Sequence, residues 1–360
     1  MAVFRTLPRR RNRRPWYLLT VIVVYVLWCE FVALYAKGIL WKIPNQQNTL
    51  KFLLVADPQL IGYRNEKKWI GWLSRADSDR YIQRAFAHAF YKVAPDYVVF
   101  LGDLFDEGVQ MSALEFEWTM HRFNTLFPIN NKTNRCFVPG DNDVGGEMEP
   151  VYEHLKTRFA QQFSNFFLPT AQKIFEFSTI NLFDAGSKIE KISKSDGLKI
   201  LMSHYPVIRS IQTTDNSFGG YRPDLILSAH DHTGEFYVKK RGSENFSRFG
   251  AEKGLKFSIT SGMPLVEIQV PTMNYRMGVP DMAIGLLSVE TVPNTRSFTI
   301  QFENLWLPGR YPQLYGYVIL IIIVFFYYFA GLFWSIARIF KIDQLLRFVA
   351  GRAQRRYVPV

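Results

Sequence analysis

The chain has 360 residues, of which 48% are hydrophobic, and this composition excludes a disordered protein. Its net charge of +12 is concentrated at the ends, because residues 1–36 and 337–360 each carry +5 and leave +2 for the region between them. A nucleic-acid-binding fold would carry a basic face on its folded domain, so we predict no nucleic-acid partner.

The first predicted element is an apolar run from Trp16 to about Ala36, which is long enough to cross a bilayer core as a helix. Glu30 in this run has two interpretations. It is either a carboxylate that reaches the interface from the helix end, which we favour because central charges are costly, or a polar contact to a second span. The run is long and no clear small-residue cleavage site follows it, so we favour an uncleaved anchor over a signal peptide.

The region that follows is predicted to form an α/β domain, because short apolar strands alternate with helical stretches. The expected strands of its first half are 50–56, 97–101 and 135–139, and the expected helices are about 79–93, 112–126 and 149–163. Later in the chain, residues 174–185 are predicted as a hairpin or a long bent strand. The remaining predicted strands are 199–203, 224–229, 256–261, 283–290 and 297–305.

A second apolar run, from Tyr311 to Ala337, contains no charged residue and predicts a second transmembrane helix. Arg and Lys residues mark the cytosolic side of a membrane, so both tails are expected in the cytosol and the domain in a lumen. The sequons at Asn131 and Asn245 fall on that lumenal side, and we predict glycosylation there. The expected organisation is therefore a basic tail, a span, a lumenal domain, a span and a basic tail, at residues 1–15, 16–37, 38–309, 310–337 and 338–360.

Five predicted strands end in side chains that are able to bind a metal ion. In chain order these are Asp57 with Gln59, Asp103, Asp141, His204, and His230 with His232. Open α/β sheets gather their ligands at the carboxyl ends of strands. Carboxylates crowded at one edge require cations, and mixed Asp and His ligands suit manganese, iron or zinc. The other three histidines lie in helical stretches and are predicted to be structural: His88, His121 and His154.

The ordered motifs resemble a known signature. DPQ (57–59), GDLFDEG (102–108), GDND (140–143), SHYP (203–206) and AHDH (229–232) are similar to the D-x-H, G-D-x-x-D, G-N-H-D, H and G-H-x-H motifs of calcineurin-like metallophosphoesterases. The likeness covers about residues 50–235. LGDLFDEG, the DPQ variant and the flanking spans resemble one branch in particular, the metallophosphoesterase 1 / cell-division-control-1 family. Its members remove a side-branch ethanolamine phosphate from a mannose of glycosylphosphatidylinositol (GPI) anchors in the early secretory pathway.

This resemblance implies a four-layer α/β/β/α sandwich with two divalent ions, manganese preferred and iron or zinc as alternatives. One ion would be held by Asp57, Gln59, Asp103 and His232. The other would be held by Asp103, Asp141, His204 and His230, with Asp103 shared. Asp106 and Asp143 would orient ligands and loops. The implied partners are the membrane and a GPI-anchored glycolipid or protein substrate. The implied location is the endoplasmic reticulum and Golgi, with a role in the transport of GPI-anchored proteins.

Three residues depart from the superfamily pattern. Gln59 replaces a His, and Asp141 replaces an Asn, yet both still offer an oxygen to a metal. Asn142 replaces the His that would assist departure of the leaving group, and general acid assistance is typically worth about 10²–10⁴ in rate. Three alternatives stay open: another group such as His154 or a bound water serves, the enzyme is slow, or the protein is a catalytically impaired relative that binds cargo. We favour activity, with Asn142 and Asp103 in the catalytic centre.

Overall fold

The computed structural model describes residues 14–44, 49–168, 174–184, 188–192, 195, 197–210, 220–260, 263–291 and 297–339. Most of both predicted basic tails therefore lies outside the described residues. The described chain forms two compact units. One unit, Ala33–Gly309, contains both β-sheets. The other contains the helical segments 14–32 and 310–339.

The first half of the chain contains, in order, α1 (Arg14–Leu27), a π-helical segment (Trp28–Val32), α2 (Ala33–Ile39), β1 (Thr49–Val55), α3 (Gly71–Val93), β2 (Tyr97–Phe100), a 3-10 turn (Gly108–Gln110), α4 (Ala113–Leu126), β3 (Asn134–Phe137), α5 (Asp141–Val144) and α6 (Glu153–Gln162). The second half contains β4 (Phe175–Thr179), β5 (Glu190–Lys191), β6 (Leu198–Met202), α7 (Val207–Ser210), β7 (Leu225–Ser228), β8 (Glu235–Lys239), β9 (Phe246–Gly250), β10 (Leu255–Ile259), β11 (Leu265–Gln269), β12 (Ala283–Thr291), β13 (Phe298–Trp306) and α8 (Arg310–Ile339).

The strands form two sheets. One has six strands in the order β10-β13-β12-β1-β2-β3, and the other has seven in the order β5-β4-β6-β7-β11-β8-β9. Strands β1, β2 and β3 run parallel to one another, and so do β4, β6, β7 and β11. Parallel neighbours end at the same edge of a sheet, so the loops after β1, β2 and β3 lie side by side, as do those after β6 and β7. The architecture is an α/β fold of two sheets flanked by helices.

The main core combines side chains from both sheets. Phe52 of β1 stacks on Tyr97 of β2 with 4.1 Å between ring centroids, and Phe52 also meets Phe175 of β4 edge-on at 5.1 Å. These three side chains are at most 2% exposed. Burying a phenylalanine side chain fully contributes roughly 1.5–3 kcal/mol. The packing between the sheets therefore holds together the strands that lead to the functional loops.

Helix α4 shows why its segment folds locally as predicted. Ser112 precedes the helix, and its hydroxyl accepts from the Glu115 backbone N–H while the Glu115 carboxylate accepts from the Ser112 backbone N–H. This reciprocal pair satisfies donors that the first helical turn leaves unpaired. Phe116, Met120 and Phe123 then recur at a helical spacing on the buried face.

Several predicted elements differ from the observed ones. Helix α3 begins at Gly71, eight residues before the predicted start. The prediction of a hairpin or long strand over 174–185 is wrong, because β4 ends at Thr179. The Asn181 side chain accepts from the Phe183 backbone N–H at 3.1 Å, and such a local turn ends the extended backbone. Strands β8, β9 and β11 were not predicted.

Two helical segments, Trp16–Ile39 and Arg310–Phe333, are long and apolar enough to cross a membrane. Within the unit that contains α1 and α8, the Glu30 carboxylate accepts from Arg310 Nη1 and from the Tyr317 hydroxyl, both at 2.9 Å. The structure therefore shows the second of the two interpretations of Glu30, a polar contact to the other apolar helix. Glu30 makes the alternative contact, because an unpaired carboxylate in an apolar helix is costly and Arg310 neutralises it.

Candidate metal centre

The predicted ligands lie within four residues of the ends of parallel strands. Asp57 follows β1, Asp103 follows β2, and Asp141 follows β3 in the six-stranded sheet. In the other sheet, His204 follows β6, and His230 and His232 follow β7. The His204 ring joins the two sheets, since its Nδ1 lies 2.8 Å from the Leu101 carbonyl oxygen at the end of β2. A carbonyl oxygen only accepts, so Nδ1 carries the hydrogen and Nε2 of the neutral ring is left to bind a cation.

The backbone is strained in the loops that carry the predicted ligands. Six described non-glycine residues have a positive φ, and five of them are predicted site residues. Their φ values are 45° at Asp57, 36° at Gln59, 52° at Asp103, 75° at His230 and 64° at His232. Such conformations cost about 1–3 kcal/mol each and persist where surrounding contacts impose them, as at functional sites. The loops therefore hold these side chains in a fixed arrangement at the expense of local stability.

Asp103 lies at the centre of the cluster. Its carboxylate accepts from Gln59 Nε2 at 2.9 Å, from the Asn142 backbone N–H at 3.0 Å and from Asn142 Nδ2 at 2.7 Å. His204 Nε2 lies 3.4 Å from the same carboxylate. Gly102 allows the His204 ring to lie this close, because a Cβ at residue 102 would lie 2.5 Å from His204 Nδ1.

Two groups of side chains converge closely enough to hold a metal ion. Asp57, Asp103 and His204 form one group, and Asp141, His204 and His230 form the other. His204 Nε2 lies 3.1 Å from Asp141 Oδ1, and His230 Nδ1 lies 3.2 Å from the same oxygen. His204 thus belongs to both groups, whereas the family resemblance implies Asp103 as the shared ligand.

The cluster has the electrostatics of a cation site. Asp57 is fully buried, and neither of its carboxylate oxygens accepts a hydrogen bond. Burial, and then the nearby Asp103 and Asp141 charges, raise the pKa of Asp57 well above its usual range. Burial opposes a charged His204, yet Asp103, Asp141 and Asp57 raise its pKa well above 6.5. Unpartnered buried carboxylates demand a cation, so these residues fit divalent metal ions.

Gln59 and His232 extend the cluster on one side. Gln59 Nε2 lies 3.3 Å from His232 Nε2, so a bound metal would require the amide oxygen on this side, which rotating the amide by 180° supplies. Burial first, and then the neighbouring His230 and His204, lower the pKa of His232. A neutral imidazole is the form that binds metals.

The two predicted supporting carboxylates differ in what they contact. Asp143 accepts from the backbone N–H groups of Gly140, Leu104 and Phe105, so it joins the loops after β2 and β3. Burial, followed by the charge of Asp103, raises the pKa of Asp143 to about 7. Burial and Glu107 raise the pKa of Asp106 to about 6. Asp106 lines a cleft of about 80 Å³ together with Asp141 and Asn142.

The remaining predicted residues lie elsewhere. His88 is packed between the rings of Tyr35 and Trp41, which agrees with a structural role. His121 is an exposed residue of α4, and His154 is an exposed residue of α6 whose ring lies on Tyr152. Both sequon asparagines, at 131 and 245, are exposed.

Sequence reasoning missed the loop after β11, which supports the DPQ segment. Thr272 Oγ1 donates to the Asp57 carbonyl at 2.9 Å, and the Thr272 backbone N–H donates to the His232 carbonyl at 3.2 Å. Asn274 Nδ2 donates to the Pro58 carbonyl at 2.8 Å and to the Gln59 carbonyl at 3.2 Å. No motif marks these residues, because their role is to bind backbone carbonyls far away in the sequence.

Residues 50–234 match the calcineurin-like phosphoesterase family model. Metallophosphoesterase 1 of Rattus norvegicus is 29% identical over 61% of this chain and 57% of its own length. Cell division control protein 1 of Saccharomyces cerevisiae is 26% identical over 58% of this chain and 43% of its own length. The chain thus spans about half the length of these relatives.

A metallophosphoesterase from Sphaerobacter thermophilus of known structure covers 71% of this chain and 88% of its own, with 13% identity and a TM-score of 0.37. The assignment therefore rests on the family model, which covers more than half of the chain and contains each predicted ligand. The chain belongs to the calcineurin-like phosphoesterase family, a family of metal-dependent hydrolases that act on phosphoester bonds.

Proposed function

We propose that this protein is a membrane-anchored phosphodiesterase with two divalent metal ions, which acts on a phosphodiester of a lipid-linked glycan. The observation that carries the proposal is the cluster of Asp57, Asp103, Asp141, His204 and His230 at the ends of parallel strands, with buried carboxylate oxygens that lack partners. When bound, two such ions activate a water molecule and neutralise the phosphoryl oxygens during in-line displacement. Manganese is the ion we prefer, with iron and zinc as alternatives, because the ligands mix carboxylates and imidazoles.

The protein residues have separate tasks in this scheme. Asp57, Asp103, Asp141, His204 and His230 would hold the ions, with Gln59 and His232 completing one site. Asn142 lines the cleft, and its side-chain amide donates to Asp103. An amide donates a hydrogen bond but cannot transfer a proton. Asn142 would thus orient Asp103 and a phosphoryl oxygen, and protonation of the leaving group would fall to water.

The cleft beside Asn142 supports a substrate that carries a positive charge. Its lining includes Asp106, Glu147 and Glu149 in addition to Asp141. Carboxylates attract an ammonium group and disfavour a second anion. An ethanolamine phosphate joined to a sugar has such a group, which agrees with the similarity to Metallophosphoesterase 1 and Cell division control protein 1. We propose the ethanolamine phosphate on a mannose of GPI anchors as the substrate, and transport of GPI-anchored proteins from the endoplasmic reticulum to the Golgi as the process it serves.

The two apolar helices support anchoring in the membrane of these compartments. Trp16–Ile39 and Arg310–Phe333 flank the metal-binding unit in the sequence. The basic residues beyond each helix favour cytosolic termini and a lumenal domain. Exposed Asn131 and Asn245 would then be available for glycosylation. Anchoring would hold the site near a lipid-linked substrate and raise its effective concentration.

A second candidate function is binding without turnover, as a cargo factor that recognises the same glycolipid. Asn142 favours this function, because its amide provides no proton for the leaving alkoxide. Every metal ligand would be retained in such a protein. The two functions therefore differ in turnover and not in metal content.

One experiment tests the proposal. The full chain is purified in detergent, its metals are counted by elemental analysis, and hydrolysis of bis-p-nitrophenyl phosphate and an ethanolamine-phosphate mannoside is measured beside Asp103→Ala and Asn142→His. About two ions per chain, with turnover that is lost in Asp103→Ala, would support the phosphodiesterase. Two ions with turnover only in Asn142→His would support the binding function. Absence of bound metal would refute both.

A further inference from the structure

Helix α3 and the turn before it carry exposed aromatic and basic residues along one side. Trp69, just before the helix, is 74% exposed, Trp72 is 63% exposed, and Tyr91 near its end is 88% exposed. Between them, Ala76, Arg80 and Ala87 are also exposed. The spacing of 72, 76, 80, 87 and 91 places these residues along one side of the helix.

The exposed charged side chains on the helix and just before it are all basic. Lys67 and Lys68 precede the helix and are exposed, and Arg80 is exposed midway along it. The two acidic residues of the helix are turned to partners inside the fold: Asp77 accepts from the Tyr275 hydroxyl, and Asp79 pairs with Arg122. None of the exposed residues between 67 and 92, all of which are described, is acidic. Tryptophan and tyrosine interspersed with lysine and arginine are typical of surfaces that lie in the headgroup region of a bilayer.

The same helix is bound to both chain segments that adjoin the apolar helices. Lys92 Nζ donates to the Gly38 carbonyl, and the His88 ring packs on Tyr35 at 4.7 Å. Gly38 and Tyr35 belong to the last turns of the apolar segment Trp16–Ile39. The Tyr81 hydroxyl donates to the Pro308 carbonyl at 2.9 Å, two residues before Arg310–Phe333 begins. Three points along α3 are therefore fixed to the places where the chain would leave a membrane.

We propose that α3 lies flat in the headgroup region of the membrane, with Trp69, Trp72 and Tyr91 as interfacial anchors. This inference rests on the proposed membrane anchoring of the chain and goes beyond it. Two spans alone would leave the metal-binding unit free to tilt, whereas a helix resting on the lipid along its length restricts the unit to one orientation. Lys67 and Lys68 would add electrostatic attraction to anionic lipids.

Site-directed spin labelling of the full chain in phosphatidylcholine vesicles, with and without phosphatidylserine, tests the proposal. Labels are placed at Trp72→Cys and Tyr91→Cys, which are 19 residues and about 28 Å apart along the helix. Ile322→Cys in α8 reports whether the apolar helix is in the bilayer, and Phe249→Cys on exposed β9 serves as the control in water. Each label is challenged with oxygen, which partitions into lipid, and with a nickel chelate, which stays in water.

We expect the labels at 72 and 91 to report the same depth, measured as relative accessibility to oxygen and to the nickel chelate. This depth should lie between that of the label at 322, in hydrocarbon, and that of the label at 249, in water. A label at 72 that matches 249, while 322 reports hydrocarbon, would overturn the inference and leave the anchoring intact. Labels at 72 and 91 shielded from both reagents would indicate a protein partner and also overturn it. An aqueous value at 322 would refute the anchoring itself, and with it the inference.

Discussion

The buried side chain of Asn274 provides a sharp test of how the DPQ segment is held. Its amide nitrogen donates to the Pro58 and Gln59 carbonyls, and its oxygen accepts from the Arg276 backbone N–H at 3.1 Å. Asn274→Ala leaves these buried backbone groups without their partner. An unsatisfied buried polar group costs about 1–3 kcal/mol, so we expect the free energy of unfolding to fall by roughly 2–4 kcal/mol.

Metal affinity is expected to fall as well. The backbones of Asp57 and Gln59 are held at positive φ, and Asn274 is among the contacts that impose this conformation. Without it, the segment would relax and move the Asp57 carboxylate away from Asp103 and His204. Loss of a residue that supports ligands typically costs 10–100-fold in metal affinity. That factor corresponds to about 1.4–2.7 kcal/mol of binding free energy.

Two assays separate the loss of stability from the loss of metal affinity. Unfolding of the full chain by urea in the presence of a chelator gives stability, and competition with a fluorescent chelator gives the Mn²⁺ affinity. Asn304→Ala is the matched control, because Asn304 is also buried and donates its amide to the Ala251 carbonyl at 2.7 Å. We expect the control to lose stability while it retains metal affinity. If Asn274→Ala loses stability but binds Mn²⁺ within twofold of the native chain, the reasoning about the DPQ segment is refuted.

Three further predictions follow from individual contacts. Asn142→His restores a proton donor beside Asp103, so we expect kcat for phosphodiesters to rise by about 10²–10⁴, measured at saturating substrate. An unchanged kcat would show that proton donation to the leaving group does not limit the rate. The buried Glu267 carboxylate accepts from the backbone N–H groups of Val207 and Ile208 at 2.7 and 2.6 Å. Glu267→Gln replaces one acceptor with a donor and should lower the free energy of unfolding by about 1–3 kcal/mol in urea titrations, which an unaltered midpoint would contradict. Hydrogen bonds from Arg64, followed by those from Ser112, lower the pKa of Glu115 to about 2. The ionised Glu115 therefore contributes to the free energy of unfolding above pH 4.5, and this contribution is lost as the pH falls towards 2. We expect the difference in urea midpoint between the native chain and Glu115→Gln to narrow from pH 5 to pH 3. A difference that stays constant over this range would contradict the predicted direction.

The convergence of the strand-end Asp and His residues could be predicted because each follows an apolar run, and a run of buried strand residues is visible in sequence. Strand β11 was missed because its sequence, LVEIQ, includes Glu267 and Gln269, which are fully buried yet polar. Glu267 lies there to accept from the turn after His204, and that contact spans about 60 residues of sequence. Strand β9 was missed for the opposite reason. All five of its residues are exposed, so its sequence does not alternate between buried apolar and exposed polar residues.

The strained conformation of the site could not be predicted from the residues themselves. Asp, Gln and His at positive φ follow no local rule, since glycine is the usual residue there. Asp57 and Gln59 adopt it because Thr272 and Asn274 bind the carbonyls of 57–59 from a loop more than 200 residues away. The sequence motif names the candidate ligands, while their geometry depends on contacts that lie outside the motif and outside the matched residues 50–234.

Asn142 and Asp141 together divide the chemistry of the site into two parts. Asp141 places a carboxylate against His204 and His230, where the family pattern has an uncharged Asn, so the cluster carries one more negative charge than that pattern. Asn142 uses its amide to bind Asp103, so the position that would donate a proton is occupied by a group that cannot. Metal binding is therefore expected whether or not the protein turns over substrate. It follows that metal content tests the family's chemistry in this chain, and that only turnover, compared with Asn142→His, distinguishes an enzyme from a binding protein.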